Sequence, residues 1–157
     1  MSALTNPRHR SLHELTFTAA VGPINPYLDL RFQISFIRPD SEVSIADGFY
    51  DGGSTFKARS YCDTVGEWEW HSSSNLSKLD GQSGHFSVDP SSLPGKLRIH
   101  PDDSHQFAYD NGDWFLHIGD TGYRYVAASE PHWQAYIDQA AQSGITKIRT
   151  WFCEGRS

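Results

Sequence analysis

The residues best placed for chemistry lie at the end of a predicted strand in the last third of the chain. The apolar run at 114–118 leads into Gly119-Asp120-Thr121, and a loop and a helix follow. In proteins built from repeated βα units, polar groups at the carboxyl ends of strands face the active site. Asp120, and Arg149 near the end of the next predicted strand, are therefore candidates for one shared site. Two simpler interpretations stay open: Asp120 as an acceptor for loop amides, and Arg149 as a solvated side chain.

Other reactive side chains do not form a recognisable motif. The eight histidines are scattered, without the HExxH or CxxC spacing of zinc sites. Cys62 and Cys153 stand far apart and are interpreted as independent thiols, with a single disulfide as the alternative. The chain has no GxSxG elbow for a serine nucleophile and no GxGxxG for a dinucleotide. The sequence therefore predicts neither a metal nor a cofactor.

A pair of carboxylates, Glu67 and Glu69, alternates with Trp68 and Trp70 along one predicted strand. Residues two apart project from the same face of a strand, so these carboxylates would lie side by side. A pair of catalytic carboxylates would instead have to face each other across a substrate. We interpret the tryptophans as core residues and the glutamates as solvated, and a catalytic pair as the weaker alternative.

The elements that position these residues fall into two groups. Residues 13–100 contain about seven short segments with period-two alternation, separated by turn residues, which is typical of an antiparallel β-sandwich. The clearest predicted strand is 27–37, with every second residue apolar. Residues 42–46 form a short strand with Val43 and Ile45 predicted to face inward. Segments 54–62 and 67–72 are predicted to pair as a hairpin.

The pattern changes after Pro101. A hairpin is predicted around Asn111-Gly112, because Asn-Gly is a strong two-residue turn signal. Residues 130–143 follow helical spacing, with Ser129 as the N-cap and Gly144 as the stop. The apolar face of this helix contains Trp133, Tyr136, Ile137, Ala140 and Ala141. A strand at 145–152 follows, so the order is that of a βαβ unit.

Composition excludes several classes of function. The 157 residues carry a net charge of −6 without a basic run, which is a poor match for nucleic acid or an anionic membrane. The apolar runs are too short to span a bilayer. Residues 1–12 are polar and predicted to be disordered, and no signal peptide is visible, which favours a cytoplasmic location for the chain as given. A complete (β/α)₈ barrel needs about 250 residues, so this chain cannot contain one.

Several linked segments resemble one bacterial family. Residues 48–59, GFYDGGSTFKAR, resemble a motif of a β-sandwich domain that precedes a (β/α)₈ catalytic domain in the apiosidase-like, collagen-binding-like glycoside hydrolase group. Residues 95–123, which end in Gly119-Asp120-Thr121 and Tyr123, resemble the junction with the barrel. The same family pattern continues between these segments at Asp63, Gly66-Glu67-Trp68, Ser74-Asn75, Leu79-Asp80-Gly81-Gln82, Gly84, Phe86 and Val88.

This resemblance implies a domain organisation. Residues 13–100 would form an immunoglobulin-like β-sandwich, so the fold is mainly β. Residues 101–157 would form an incomplete β/α segment, the start of a TIM barrel, truncated after its second strand. The family's catalytic carboxylates lie on about the fourth and seventh barrel strands, which are absent here, so no catalytic residue is assigned and the chain is expected to be inactive.

The resemblance also implies a ligand. Asp120, Tyr123 and Arg149 would bind an oligosaccharide or polysaccharide substrate, without a cofactor, and the parent family would be periplasmic or secreted. Because two strands and one helix cannot close a barrel, Ile148, Trp151 and Phe152 are expected to leave an apolar edge for self-association. The alternative is a free-standing sandwich that binds carbohydrate or another protein.

Overall fold

The structure, a computed structural model, describes residues 6–151. The chain divides after Lys96 into two compact units, and antiparallel strands predominate. The strands of the first unit are β1 (Leu12–Thr18), β2 (Phe32–Ile37), β3 (Val43–Asp47), β4 (Phe49–Gly52), β5 (Thr55–Tyr61), β6 (Gly66–Ser74) and β7 (Ser83–Val88). The elements of the second unit are β8 (Leu97–His100), β9 (Asp103–Tyr109), β10 (Trp114–Phe115), β11 (Gly119–Thr121), a 3₁₀ turn (Tyr125–Ala127), α1 (Glu130–Gln142) and β12 (Lys147–Arg149).

The first unit is an antiparallel β-sandwich. One sheet has the strand order β1-β5-β4 and the other has the order β3-β2-β6-β7. This arrangement corresponds to the B-E-D and C′-C-F-G sheets of an immunoglobulin-like sandwich when β1 is taken as strand B. A parallel bridge between Arg8 and Asp89 places the residues before β1 beside the end of β7.

The core lies between the two sheets because alternate residues of each strand face the opposite sheet. The ring of Phe17 on β1 meets Phe32 edge-to-face at 5.1 Å and Trp70 at 5.5 Å. Ile34, Phe36 and Phe56 are completely buried. The prediction that Trp68 faces the core while Glu67 and Glu69 face solvent is confirmed.

The longest predicted strand is shorter than its alternation suggested. It begins at Phe32, and residues 26–29 form turns that leave Leu28 81% exposed. The backbone here bonds locally: Asn25 N–H donates to the Asp29 carboxylate at 2.9 Å, and Asp29 N–H donates to the Asn25 carbonyl at 2.9 Å. Asn and Asp favour such turns because their side chains compete for backbone groups.

Strand β3 exists where predicted, but its faces are reversed. Ala46 packs against the core, while Val43 is 58% and Ile45 67% exposed. The register with β2 pairs the buried Ile34 with Ala46 and the half-buried Ser35 with Ile45. A shift of one residue in the register moves every side chain of a strand to the other face. The prediction from hydrophobicity alone therefore assigned the wrong face of β3 to the core.

The predicted hairpin of 54–62 with 67–72 is wrong. Strand β5 pairs with β1 and β4, whereas β6 pairs with β2 and β7, so these neighbours in sequence lie in different sheets. The true hairpin joins β4 to β5 through Gly52 and Gly53, whose φ values of +100° and +58° favour glycine. The loop from β5 to β6 connects the two sheets, and it is stabilised by the Trp68 indole N–H, which donates to the Thr64 carbonyl at 2.9 Å.

Part of the N-terminal segment predicted to be disordered is ordered. His9 N–H donates to the Asp89 carbonyl at 2.7 Å, and Arg10 N–H donates to the Cys62 carbonyl at 2.6 Å. Backbone bonds of this kind do not depend on apolar side chains, so composition did not reveal them. Residues 1–5 of the same prediction lie outside the described residues.

The second unit begins four residues earlier than predicted. Strand β8, which the sequence assigned to the sandwich, pairs with β9 in the sheet of order β10-β9-β8. The Asn-Gly hairpin is confirmed, since β9 pairs with β10 and Gly112 has a φ of +92°. Strands β11 and β12 pair in parallel, and α1 lies between them in the sequence, so the predicted βαβ order is confirmed.

Helix α1 follows the predicted spacing. Ala140 is buried and Trp133, Tyr136 and Ile137 are half-buried, while Ala141 is exposed. Ser129 occupies the N-cap, but its hydroxyl lies 2.6 Å from His132 Nδ1 and caps no backbone N–H. Gly144 takes a φ of +73° after the last turn. The predicted strand at 145–152 is limited to β12, and residue 152 lies outside the described chain.

Two further findings concern the whole described chain. Cys62 is a free, completely buried thiol whose pKa burial raises to about 11, and Cys153 lies outside the described residues. Across residues 6–151, helix α1 is too short and too polar to cross a membrane, and no longer helix is present.

Candidate functional site

The candidate site lies at the carboxyl edge of the β11–β12 sheet, and its best-defined group is the Asp120 carboxylate. Oδ1 accepts the backbone N–H of Thr121 at 2.7 Å, and Oδ2 accepts the Tyr136 hydroxyl at 2.7 Å. The Tyr136 hydrogen bond, followed by the Thr121 amide, lowers the pKa of Asp120 below its usual value. This carboxylate is therefore ionised at neutral pH, so it can accept hydrogen bonds but cannot act as a proton donor.

Tyr136 belongs to this site although the sequence pattern assigned it only to the core. The helix presents it one turn before the buried Ala140, so its ring packs while its hydroxyl reaches the edge of the sheet. The same hydrogen bond raises the pKa of Tyr136. A signal was present in the sequence, because a tyrosine on an apolar helix face needs a partner for its hydroxyl.

Gly122 makes this contact feasible. A Cβ atom at this position would lie 2.6 Å from the Tyr136 hydroxyl oxygen, closer than atoms normally approach. The backbone N–H of Gly122 donates to the Arg149 carbonyl at 3.0 Å and so continues the pairing of β11 with β12. Even the methyl group of alanine would force the Tyr136 ring to shift, so glycine at this position preserves the contact with Asp120.

Arg149 lies at the same carboxyl edge of the β11–β12 sheet as Asp120, but its side chain projects from the opposite face of the sheet. The parallel register pairs Asp120 with Ile148 and Thr121 with Arg149. Because successive residues alternate between faces, Asp120 projects toward α1 and Arg149 projects from the opposite face. The exposed guanidinium of Arg149 makes no hydrogen bond or ion pair with any residue in the described chain.

Tyr123, the third predicted residue, lies just beyond β11. The residue is 52% exposed, and its ring meets the Trp151 ring at 6.3 Å between centroids, with the planes inclined by 66°. Trp151 is 57% exposed, and its backbone N–H donates to the Tyr123 carbonyl at 3.1 Å. The sequence predicted Trp151 as part of an apolar edge and did not assign it to the site.

Two of the grooves formed by the described residues lie on the four-stranded sheet of the sandwich, and both are shallow. One, of about 420 Å³, is lined by Glu67, Glu69, His71 and His85. The other, of about 580 Å³, is lined by Arg31, Gln33, Asp47 and Asn75 among others. Much of the polar lining of the second groove is already paired: Gln33 donates to Asp47 at 3.0 Å, and the Asn75 amide donates to the Asp29 carbonyl at 2.8 Å.

The described residues contain no group of three or more His, Cys, Asp or Glu side chains that could hold a metal ion. His71 and His85 lie on neighbouring strands beside Glu69, which pairs directly with His85 in the register of β6 and β7. These three side chains remain ordinary solvent-facing groups of a sheet.

Comparison with known proteins gives two matches. Residues 10–75 match a family model described as a domain of unknown function, DUF5060. A solved structure from Bacteroides vulgatus, described as a "putative glycoside hydrolase", superposes with a TM-score of 0.79 at 27% sequence identity. The match covers 91% of this chain and 27% of that protein, so the present chain spans about a quarter of its length. A search of curated proteins finds no match.

Proposed function

We propose that this chain comprises the accessory sandwich and the first strand–helix–strand repeat of a carbohydrate-active enzyme related to the glycoside hydrolases. In this proposal the immunoglobulin-like unit precedes a (β/α)₈ barrel, and the edge formed by Asp120, Tyr123 and Arg149 faces the sugar. The observation that carries the proposal is the parallel β11–α1–β12 unit, which brings all three residues to its carboxyl edge. The similarity to the glycoside-hydrolase-like structure supports it over most of the chain.

The chemistry of the edge suits binding rather than bond cleavage. A glycosidase needs one carboxylic acid that donates a proton and a second carboxylate across the scissile bond. Asp120 has a lowered pKa, and both of its oxygens already accept hydrogen bonds. It is suited to accept a sugar hydroxyl with its remaining lone pairs, and Arg149 offers hydrogen-bond donors from the opposite face of the same edge. Catalysis would then require carboxylates from further strands, and this chain would not hydrolyse glycosides by itself.

Binding to short gluco-, xylo- and galacto-configured oligosaccharides tests the proposal. We expect measurable binding by NMR titration, weakened by Asp120→Asn and left unchanged by Asp138→Asn on the exposed side of α1. The same preparations should not hydrolyse aryl glycosides above background. Binding that is insensitive to Asp120→Asn would exclude this edge, and hydrolysis that Asp120→Asn abolishes would show that the chain has a catalytic site of its own.

A second candidate function is a sandwich that binds carbohydrate or a protein without the second unit. The independent core of the first unit favours it, and the grooves beside Glu69 and beside Arg31 are places where a ligand would fit. The two candidate functions differ in which unit of the chain binds the sugar. A fragment ending at Lys96 that binds the same sugar as the full chain would favour the second candidate, and loss of binding would favour the edge of β11 and β12.

A further inference from the structure

We propose that Tyr123 and Trp151 form an aromatic corner that packs against a pyranose ring, a sugar subsite at the same carboxyl edge of β11 and β12 as Asp120. The proposal names a ligand class for the site assigned above and therefore rests on the proposed function. It adds Trp151, which neither the family pattern nor the comparisons single out.

The first support is the exposure of both rings. Each leaves more than half of its surface open to solvent, although the hydrophobic effect favours covering aromatic rings of this size. The two planes are inclined by 66° with their centroids 6.3 Å apart, an edge-to-face contact rather than a stack in which the rings cover each other's faces. The aromatic corner, meaning this pair of inclined and exposed rings, therefore leaves apolar surface on which a ring-shaped ligand could pack.

The second support is the positioning of the corner by the backbone. Trp151 N–H donates to the Tyr123 carbonyl at 3.1 Å, and Gly122 N–H donates to the Arg149 carbonyl at 3.0 Å. The Thr150 hydroxyl lies 3.4 Å from the same Tyr123 carbonyl. The segments after β11 and β12 are thus held together before a ligand arrives, which lowers the entropic cost of binding.

The third support is the polarity of the ring edges. Neither the Tyr123 hydroxyl nor the Trp151 indole N–H bonds to another residue of the described chain. Both remain available to hydroxyl groups. A pyranose ring matches this combination because its C–H faces are apolar while its rim carries hydroxyls. Purely apolar aromatic ligands would leave these donors unpaired, and such a mismatch disfavours binding.

The experiment is an NMR titration that follows the indole N–H signal of Trp151, assigned with Trp151→Phe, against the oligosaccharides named above. Trp151→Ala should weaken binding about tenfold, as expected for loss of an aromatic anchor. Trp151→Phe, which keeps a ring, should stay within about threefold of the unchanged chain. The matched control is Trp114→Ala, because Trp114 is also exposed in the second unit but lies against His100.

The outcomes separate this subsite from the proposed function. Sugar binding that Asp120→Asn weakens while Trp151→Ala does not would overturn the aromatic corner and leave the proposed site in place. Binding weakened by Trp151→Ala but not by Asp120→Asn would support the corner and count against Asp120. Failure of the Trp151 signal to respond to any of the sugars would overturn the subsite, as would an equal response to benzyl alcohol.

Discussion

At the scale of single residues, the Asp120–Tyr136 hydrogen bond is the most informative interaction. Because the Tyr136 hydroxyl is the largest cause of the lowered pKa of Asp120, Tyr136→Phe should raise that pKa toward its ordinary value. The carboxyl signal of Asp120 followed by NMR through an acid titration measures the change. Tyr125→Phe is the matched control, since the Tyr125 ring lies 5.0 Å from that of Tyr136 without bonding to Asp120. An unchanged pKa in Tyr136→Phe would contradict the hydrogen bond.

A second residue links protonation to stability. The His13 ring packs against the Phe86 ring with 4.0 Å between centroids and the planes tilted by 34°, and burial lowers the pKa of His13 below the ordinary value of 6.5. The unfolded chain therefore binds a proton more readily than the folded chain, so this contribution is complete above about pH 6.5 and is lost as the pH falls through the folded pKa. His13→Phe should reduce the loss of thermal stability between about pH 8 and about pH 5.

The unchanged chain provides the reference for this measurement. If His13→Phe loses as much thermal stability on acidification as the unchanged chain does, His13 is not the group responsible.

At the scale of elements, two isoleucines on paired strands test which face of each strand is buried. Ile34 on β2 is completely buried and Ile45 on β3 is 67% exposed. Ile34→Ala should lower the free energy of unfolding by about 2–5 kcal/mol, because it removes buried methyl groups and leaves a cavity. Ile45→Ala should change it by less than about 0.5 kcal/mol. Denaturant unfolding measures both values. A large loss of unfolding free energy for Ile45→Ala would support the inward orientation of Ile45 that the sequence predicted.

The same elements show what sequence patterns can and cannot predict. Period-two alternation found the positions of β2, β3 and β6, and the helical spacing found α1 almost to its ends. Alternation reports which residues share a face but not which strand is the neighbour, so β5 and β6 were wrongly paired. For the candidate site, the sequence predicted that Asp120 and Arg149 lie near strand ends, and the structure places them there. The contact of Tyr136 with Asp120 depends on how far α1 reaches over the sheet, which the sequence pattern does not report.

At the scale of the whole molecule, the division after Lys96 predicts that the sandwich folds alone. The segment leading to Lys96 packs on the first unit, since Arg10 donates to the Leu93 carbonyl at 3.3 Å and the Lys96 ammonium lies 4.1 Å from the Tyr61 ring centroid. A fragment ending at Lys96 should therefore unfold cooperatively in denaturant. A gradual, non-cooperative transition would show that the sandwich needs residues beyond this boundary.

The second unit should control whether the chain associates with itself. Its apolar side chains include Ile99, Leu116 and Trp151, each more than half exposed, and the short sheet of β11 and β12 has both of its edges unpaired within the described chain. Exposed apolar side chains and open strand edges favour contacts with a second copy.

We expect the full chain to form dimers or larger species in sedimentation at micromolar concentration, while the fragment ending at Lys96 remains monomeric. Leu116→Lys should weaken association by placing a charge on the apolar surface, whereas Leu28→Lys in the exposed turn of the sandwich should not. A full chain that stays monomeric would show that these side chains do not drive self-association.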